Sequence, residues 1–150
     1  MRVDFYHLSR DPVEAALPRI ARAARDSGER MLVVSADAAQ REALDKALWE
    51  SQPEAFLAHG AADAPHAARQ PLLLSDRCEA ANGARLIALA DGAWRDEALG
   101  FERAFLFFDG ATRDGARAAW RALGEREQGQ GEKIERHYWK QDGGRWVEGP

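Results

Sequence analysis

Apolar and polar residues alternate between two periods along this chain, and the switches mark out a series of short strands and longer helices. Val3 to Leu8 (VDFYHL) is a β-rich run. Asp11-Pro12 then suits a helix N-cap and first helical position. From Val13 to Asp26 the apolar positions Ala16, Leu17, Ile20, Ala23 and Ala24 keep helical spacing, with a kink expected at Pro18 and a stop at Gly28. Met31 to Val34 (MLVV) is continuously apolar, as in a strand covered on both faces. Ser35 and Asp37 can cap a second helix over Ala38 to Leu48, whose stripe is Ala43, Leu44, Ala47 and Leu48.

Pro53 cannot continue that helix, and Phe56 to His59 reads as a third short strand. Gly60 to Gln70 is loop-like, and Leu72 to Leu74 follows Pro71 as a strand. Arg85 to Leu89 and Phe105 to Phe108 (FLFF) are two more buried strands, joined by a loop with room for one helical turn. A last helix begins at Thr112 or Asp114 and runs to about Glu127, where QGQG (Gln128 to Gly131) breaks it. The tail YWKQDGGRWVE predicts a hairpin around Asp142-Gly143-Gly144. Strands alternating with helices at this spacing predict one α/β domain over residues 1–150. Its sheet should be Rossmann-like and mostly parallel, wound by right-handed crossovers with helices on both faces.

With 45% hydrophobic and 31% charged residues the chain has ordinary globular usage, and 150 residues suffice for one core. No apolar run reaches the roughly 20 residues of a spanning helix. The N-terminus, with Asp4 and Asp11, lacks the apolar region of a secretory signal, and the single Cys78 excludes an intrachain disulfide. The expectation is a cytoplasmic protein with Cys78 as a free surface thiol. A net charge of −4 disfavours approach to the phosphate backbone of DNA.

A sheet of this kind invites a search for a nucleotide or a catalytic site. Neither G-x-G-x-x-G nor G-x-x-x-x-G-K-[ST] occurs, the turn after the first strand is Ser9-Arg10-Asp11-Pro12, and no G-x-S-x-G elbow is present. His59 and His66, with Asp63 between them, could ligate a metal, although loop histidines without cysteine support are usually solvated. His7 reads as a structural histidine. The expectation is no catalytic residue, no metal and no cofactor.

Two segments suggest recognition instead. Arg113, Arg117 and Arg121 stand at i, i+4 and i+8 beside Trp120, with Asp114 the one acid in that span. Their planar forks suit carboxylates, while the same ridge could equally be a solvated helix face. Leu48, Trp49, Phe56 and Leu57 place large apolar residues around a helix exit, where they either cap the core or face a partner.

FYHL (Phe5 to Leu8), ALDKALWESQPEAFLAHG (Ala43 to Gly60), ARAAWRALG and HYWKQ, in that order, resemble the chi subunit of bacterial DNA polymerase III. The resemblance implies a non-enzymatic adaptor in DNA replication. In that family a pocket beside the last long helix receives the acidic C-terminal tail of single-stranded DNA-binding protein, which ends in Pro-Phe with a free carboxylate. Its basic-x-x-aromatic-basic motif falls on Arg117, Trp120 and Arg121, and its apolar wall falls near Phe108. Trp120 stands where Tyr is frequent, and Arg121 where Lys is frequent. Leu48, Trp49, Phe56 and Leu57 resemble the contact with the psi subunit of the clamp loader, or with a helicase-like partner. The resemblance implies little direct binding to DNA and none to membrane. The alternative reading is a small α/β enzyme or nucleotide-dependent regulator whose site lacks a recognisable motif.

Overall fold

A computed structural model describes residues 1–50, 59–142 and 145–149. Among them, eight strands form one sheet in the order β3-β4-β2-β5-β6-β1-β7-β8. The strands are β1 (Arg2–His7), β2 (Met31–Val34), β3 (His59–Ala61), β4 (Leu72–Ser75), β5 (Leu86–Leu89), β6 (Arg103–Phe108), β7 (Glu135–Asp142) and β8 (Arg145–Glu148). All neighbours pair in parallel except β7 and β8, which form the expected antiparallel hairpin with Asp142 opposite Arg145. The described third strand starts at His59; residues 56–58 lie outside the described residues.

Three α-helices flank the described sheet: α1 (Val13–Asp26), α2 (Ala38–Glu50) and α3 (Arg113–Gln130). Strand alternation sorts side chains between two cores. Tyr6, Phe105 and Phe107 join Leu17 of α1 and Leu44 and Leu48 of α2 on one face. Phe5, Leu106 and Phe108 join Ala116, Ala119 and Leu123 of α3 on the other. FLFF is therefore apolar throughout because both its faces are covered. The helical turn expected between β5 and β6 is a 3₁₀ turn at Asp96–Gly100.

The element ends depart from expectation in two places. Pro12 is the N-cap of α1, with extended ψ of 165°, and Val13 is the first helical residue. Asp11 does not cap; its carboxylate accepts from Gln141 Nε2 at 2.9 Å, while Gln141 Oε1 accepts from the amides of Arg10 and Asp11, tying the β1–α1 turn to β7. Pro18 is buried and α1 runs unbroken through it. The helix α3 continues through Gln128, Gly129 and Gln130 and ends at Gly131, whose φ of +66° is the left-handed stop that glycine adopts at least cost. Gly28 does end α1 as expected, with φ +75°: its amide donates to the Arg25 carbonyl and that of Glu29 to Ala24, the two bonds of a Schellman motif.

The order of connections creates one discontinuity. β1 leaves to α1 on one face, whereas its neighbour β6 leaves to α3 on the other. In parallel sheets such a divergence opens a crevice at the carboxyl ends of the strands. Here it brings together the β1–α1 turn, Asp109 and Thr112 just before α3.

Candidate peptide-binding cleft

On the α3 face, a cleft of about 320 Å³ lies between α3 and the sheet, lined by Phe5, His7, Phe108, Arg113, Ala116, Arg117, Trp120 and Tyr138. The sequence dictates this lining through two periods. Phe5 and His7 are two apart on β1, and Arg113, Ala116, Arg117 and Trp120 recur at helical spacing on α3. Tyr138 comes from β7, where it is the register partner of Phe5.

The floor is a set of packed rings. His7 lies parallel to Phe108, with centroids 4.9 Å apart and planes 3° from parallel. Tyr138 lies 6.3 Å from Phe108, and its hydroxyl is 3.3 Å from His7 Nδ1. Trp120 stands edge-on to Phe5 at 5.1 Å. Behind Tyr138 the chain turns close: the Gly149 amide donates to the Tyr138 carbonyl at 2.7 Å, and a Cβ on Gly149 would fall 2.3 Å from the ring, so only glycine fits there.

Arg113 and Arg117 are exposed at the mouth. Among the described residues neither forms an ion pair, and nor does Arg121. Their effect is felt by His7: burial, and then the positive charges of Arg113 and Arg117, push its pKa below the ordinary 6.5 despite the opposing charge of Asp109. His7 is therefore neutral at pH 7. An apolar floor under unpaired guanidinium groups can take a ligand that carries an apolar ring and a carboxylate.

Of the residues singled out in the sequence, the fold brings Phe108, Arg117 and Trp120 into one cleft and adds Arg113 from the same ridge. Arg121 is exposed on α3 and does not line it. The motif reading missed Phe5, His7 and Tyr138. His7, bonded to Tyr138 and stacked on Phe108 as a structural histidine would be, also lines the cleft, and the available signal was the aromatic pair Phe5 and His7 at strand spacing.

At the other candidate surface, Leu48 is 2% exposed and belongs to the core, whereas Trp49 is 48% exposed with its ring 4.6 Å from that of His59. Phe56 and Leu57 lie outside the described residues. His59 is not a solvated loop histidine: it is buried in β3 with Nε2 2.9 Å from Asp45 Oδ1, because α2 passes directly over it. Asp63 and His66 are exposed, and the three do not assemble; no group of three or more potential metal ligands occurs among the described residues. Cys78 is half-buried, and burial pushes its thiol pKa up. No described helix is long and apolar enough to cross a membrane.

The crevice at the diverging strands bears on a nucleotide. Its lining includes four acids, Asp11, Glu14, Asp91 and Asp109, and one cation, Arg10, along with Thr112. Asp109 Oδ1 accepts from the amides of Ala111 and Thr112, in the turn that precedes α3.

The family model described as DNA polymerase III chi subunit, HolC, matches residues 1–147. A probable DNA polymerase III subunit chi of Rickettsia prowazekii (strain Madrid E) is 27% identical over 84 residues, which is 56% of this chain and 51% of that relative. The chain thus aligns with about half the length of the curated relative it matches.

Proposed function

The chain belongs to the DNA polymerase III chi subunit family, and from that premise we propose that it is a non-enzymatic adaptor of the replicative polymerase in the bacterial cytoplasm. Its cleft takes the acidic C-terminal tail of single-stranded DNA-binding protein, the terminal Phe entering over Phe108 and Tyr138 and the carboxylate meeting Arg117 and Arg113. Arg121 extends the basic ridge toward the preceding acidic residues. With Leu48 in the core, Trp49, Phe56 and Leu57 contact the clamp loader through psi or an equivalent component, or alternatively a helicase-like partner, and Trp49 is the one of them presented outward among the described residues.

The observation that carries this reading is the coincidence of an open aromatic floor with two guanidinium groups that have no carboxylate partner among the described residues. Burying a terminal Phe contributes roughly 1.5 to 3 kcal/mol. Each charge-assisted hydrogen bond adds roughly 1.5 to 3 kcal/mol, and ordering the tail offsets several kcal/mol of the sum. The expected dissociation constant is about a micromolar, or about −8 kcal/mol, so the acidic residues before the terminal Phe have to supply the remainder through the basic ridge. Two such contacts joined through one small domain raise the effective concentration of polymerase on coated template, so neither need be tight.

Calorimetric titration with a synthetic acidic peptide ending in Pro-Phe tests the cleft. A free terminal carboxylate should bind at about micromolar, and the C-terminal amide or a terminal Ala about tenfold more weakly. Equal affinity for acid and amide, or no binding of either, would sink the assignment. In a parallel thermal-shift series the peptide should raise the melting temperature, whereas nucleotides with Mg²⁺ should not; a nucleotide-specific shift would favour the enzyme reading instead. For the second surface, Phe56→Ala should reduce capture of the clamp-loader assembly.

A further inference from the structure

Trp120 lines the cleft, and a residue outside the cleft packs against it. Arg136 of β7 places its guanidinium 4.5 Å from the centroid of the Trp120 ring. The same group donates from Nη1 to the Trp120 carbonyl at 2.7 Å. Phe5 meets the ring from a second side, edge-on. One planar fork thus contacts both the backbone and the ring of Trp120.

A third residue makes room for that grip. Gly124 is buried in the middle of α3, one turn beyond Trp120, where glycine weakens a helix. A Cβ there would fall 2.9 Å from Arg136 Nη1 and 3.0 Å from both Cζ and Nη2. The space that glycine leaves open is the space that the guanidinium occupies. Among the described residues no carboxylate pairs with Arg136, so its cation is committed to the ring and the carbonyl.

From this arrangement we infer that Arg136 is a positioning residue for the peptide cleft, acting through Trp120, with Gly124 as the vacancy that admits it. The inference rests on the peptide-binding reading and deepens it. Arg136 does not line the cleft, so its contribution to affinity passes entirely through the indole.

The test is titration of the acidic peptide ending in Pro-Phe into full-length variants. Arg136→Ala should weaken binding about fivefold by releasing the cation–π contact and the ring. Arg136→Lys should not restore it, because an ammonium lacks the planar fork that holds ring and carbonyl together. The salt dependence of binding should match wild type, since Arg136 does not touch the ligand. In a Trp120→Ala background, Arg136→Ala should have no further effect. Gly124→Ala supplies an independent route: the methyl displaces the guanidinium while favouring the helix, so affinity should fall without a fall in melting temperature. Wild-type affinity in both Arg136→Ala and Gly124→Ala, full rescue by Lys, or an undiminished loss in the Trp120→Ala background would each overturn the inference. If those variants and wild type all bind the free-acid peptide alike, the inference alone falls. If wild type binds no peptide, the cleft assignment and the inference fall together.

Discussion

The two faces of β1 carry the same ingredients and reach opposite ends. On the α3 face, Phe5 and His7 lie beneath Arg113 and Arg117, and those guanidinium groups have no acidic partner among the described residues. On the α1 face, Tyr6 and Phe105 lie beside Arg2 and Arg103 around a cleft of about 500 Å³. There, however, Asp4 stands fully buried between them. It accepts from Arg2 Nη2 at 3.0 Å, from Arg103 Nε at 2.7 Å and from Trp139 Nε1 at 2.9 Å. Arginines beside aromatic rings therefore do not make an anion site by themselves. One buried carboxylate converts the arrangement into internal structure, and its absence leaves the charge available to a partner.

The largest effect expected from this contrast is on stability. Asp4→Asn keeps the shape and removes the charge, leaving two guanidinium groups facing each other. Because Arg2 and Arg103 keep about a third of their side-chain surface in water, the loss should be about 3 kcal/mol, the low end for a broken buried pair. Urea denaturation should show it, with peptide affinity of the folded protein unchanged. A stability change below about 0.5 kcal/mol, ordinary for a surface site, would break the comparison.

The converse substitution acts on binding. Arg117→Ala should weaken the tail peptide about tenfold, or about 1.4 kcal/mol, with the denaturation midpoint unmoved, and Arg121→Ala should follow with a smaller loss. If Arg117→Ala destabilised the fold and left affinity intact, the two faces would have to exchange roles. Salt sharpens the same point. Raising it from 0.1 to 1 M shortens the screening length from about 10 to about 3 Å; peptide affinity should fall several-fold, while the destabilisation caused by Asp4→Asn should barely change.

The smallest effect is that of pH, through His7. Its pKa is lowered in the folded chain, by burial first and then by Arg113 and Arg117, so the unfolded chain takes up the proton first. The contribution of His7 to stability is then complete above pH 6.5 and lost as pH falls below it. Peptide affinity should move the other way. A protonated His7 adds a third cation beside the ligand carboxylate, a gain of about twofold between pH 7.5 and 5.5 that His7→Gln abolishes. Affinity falling with acidification in wild type, and alike in His7→Gln, would remove His7 from the site.

Much of the fold was legible along the chain because its cues are local. MLVV and FLFF read as doubly covered strands, Gly28 as a helix stop, and Asp142-Gly143-Gly144 as a hairpin, each within a few residues. In two places where local cues misled, a distant residue had intervened. Gln141 draws Asp11 away from capping α1, and Asp45 of α2 takes His59 out of solvent. In the cleft, Phe108, Arg117 and Trp120 were legible because a strand end and a helix face carry them in order. Phe5 and His7 were not singled out, since their place depends on β1 lying beside β6, and Tyr138 was not, since its place depends on the register of β7 with β1.

The amino-acid sequence by itself determined the alternation of elements, the covering of both sheet faces and a basic ridge beside an aromatic on the last helix, since periodicity and side-chain chemistry are properties of neighbours in the chain. Only the tertiary structure decided which arginines meet a carboxylate. Asp4 reaches Arg103 across 99 positions and Trp139 across 135, and charge neutralisation depends on distance in space. The same reason separates Arg136, folded back onto Trp120, from Arg117, left facing outward.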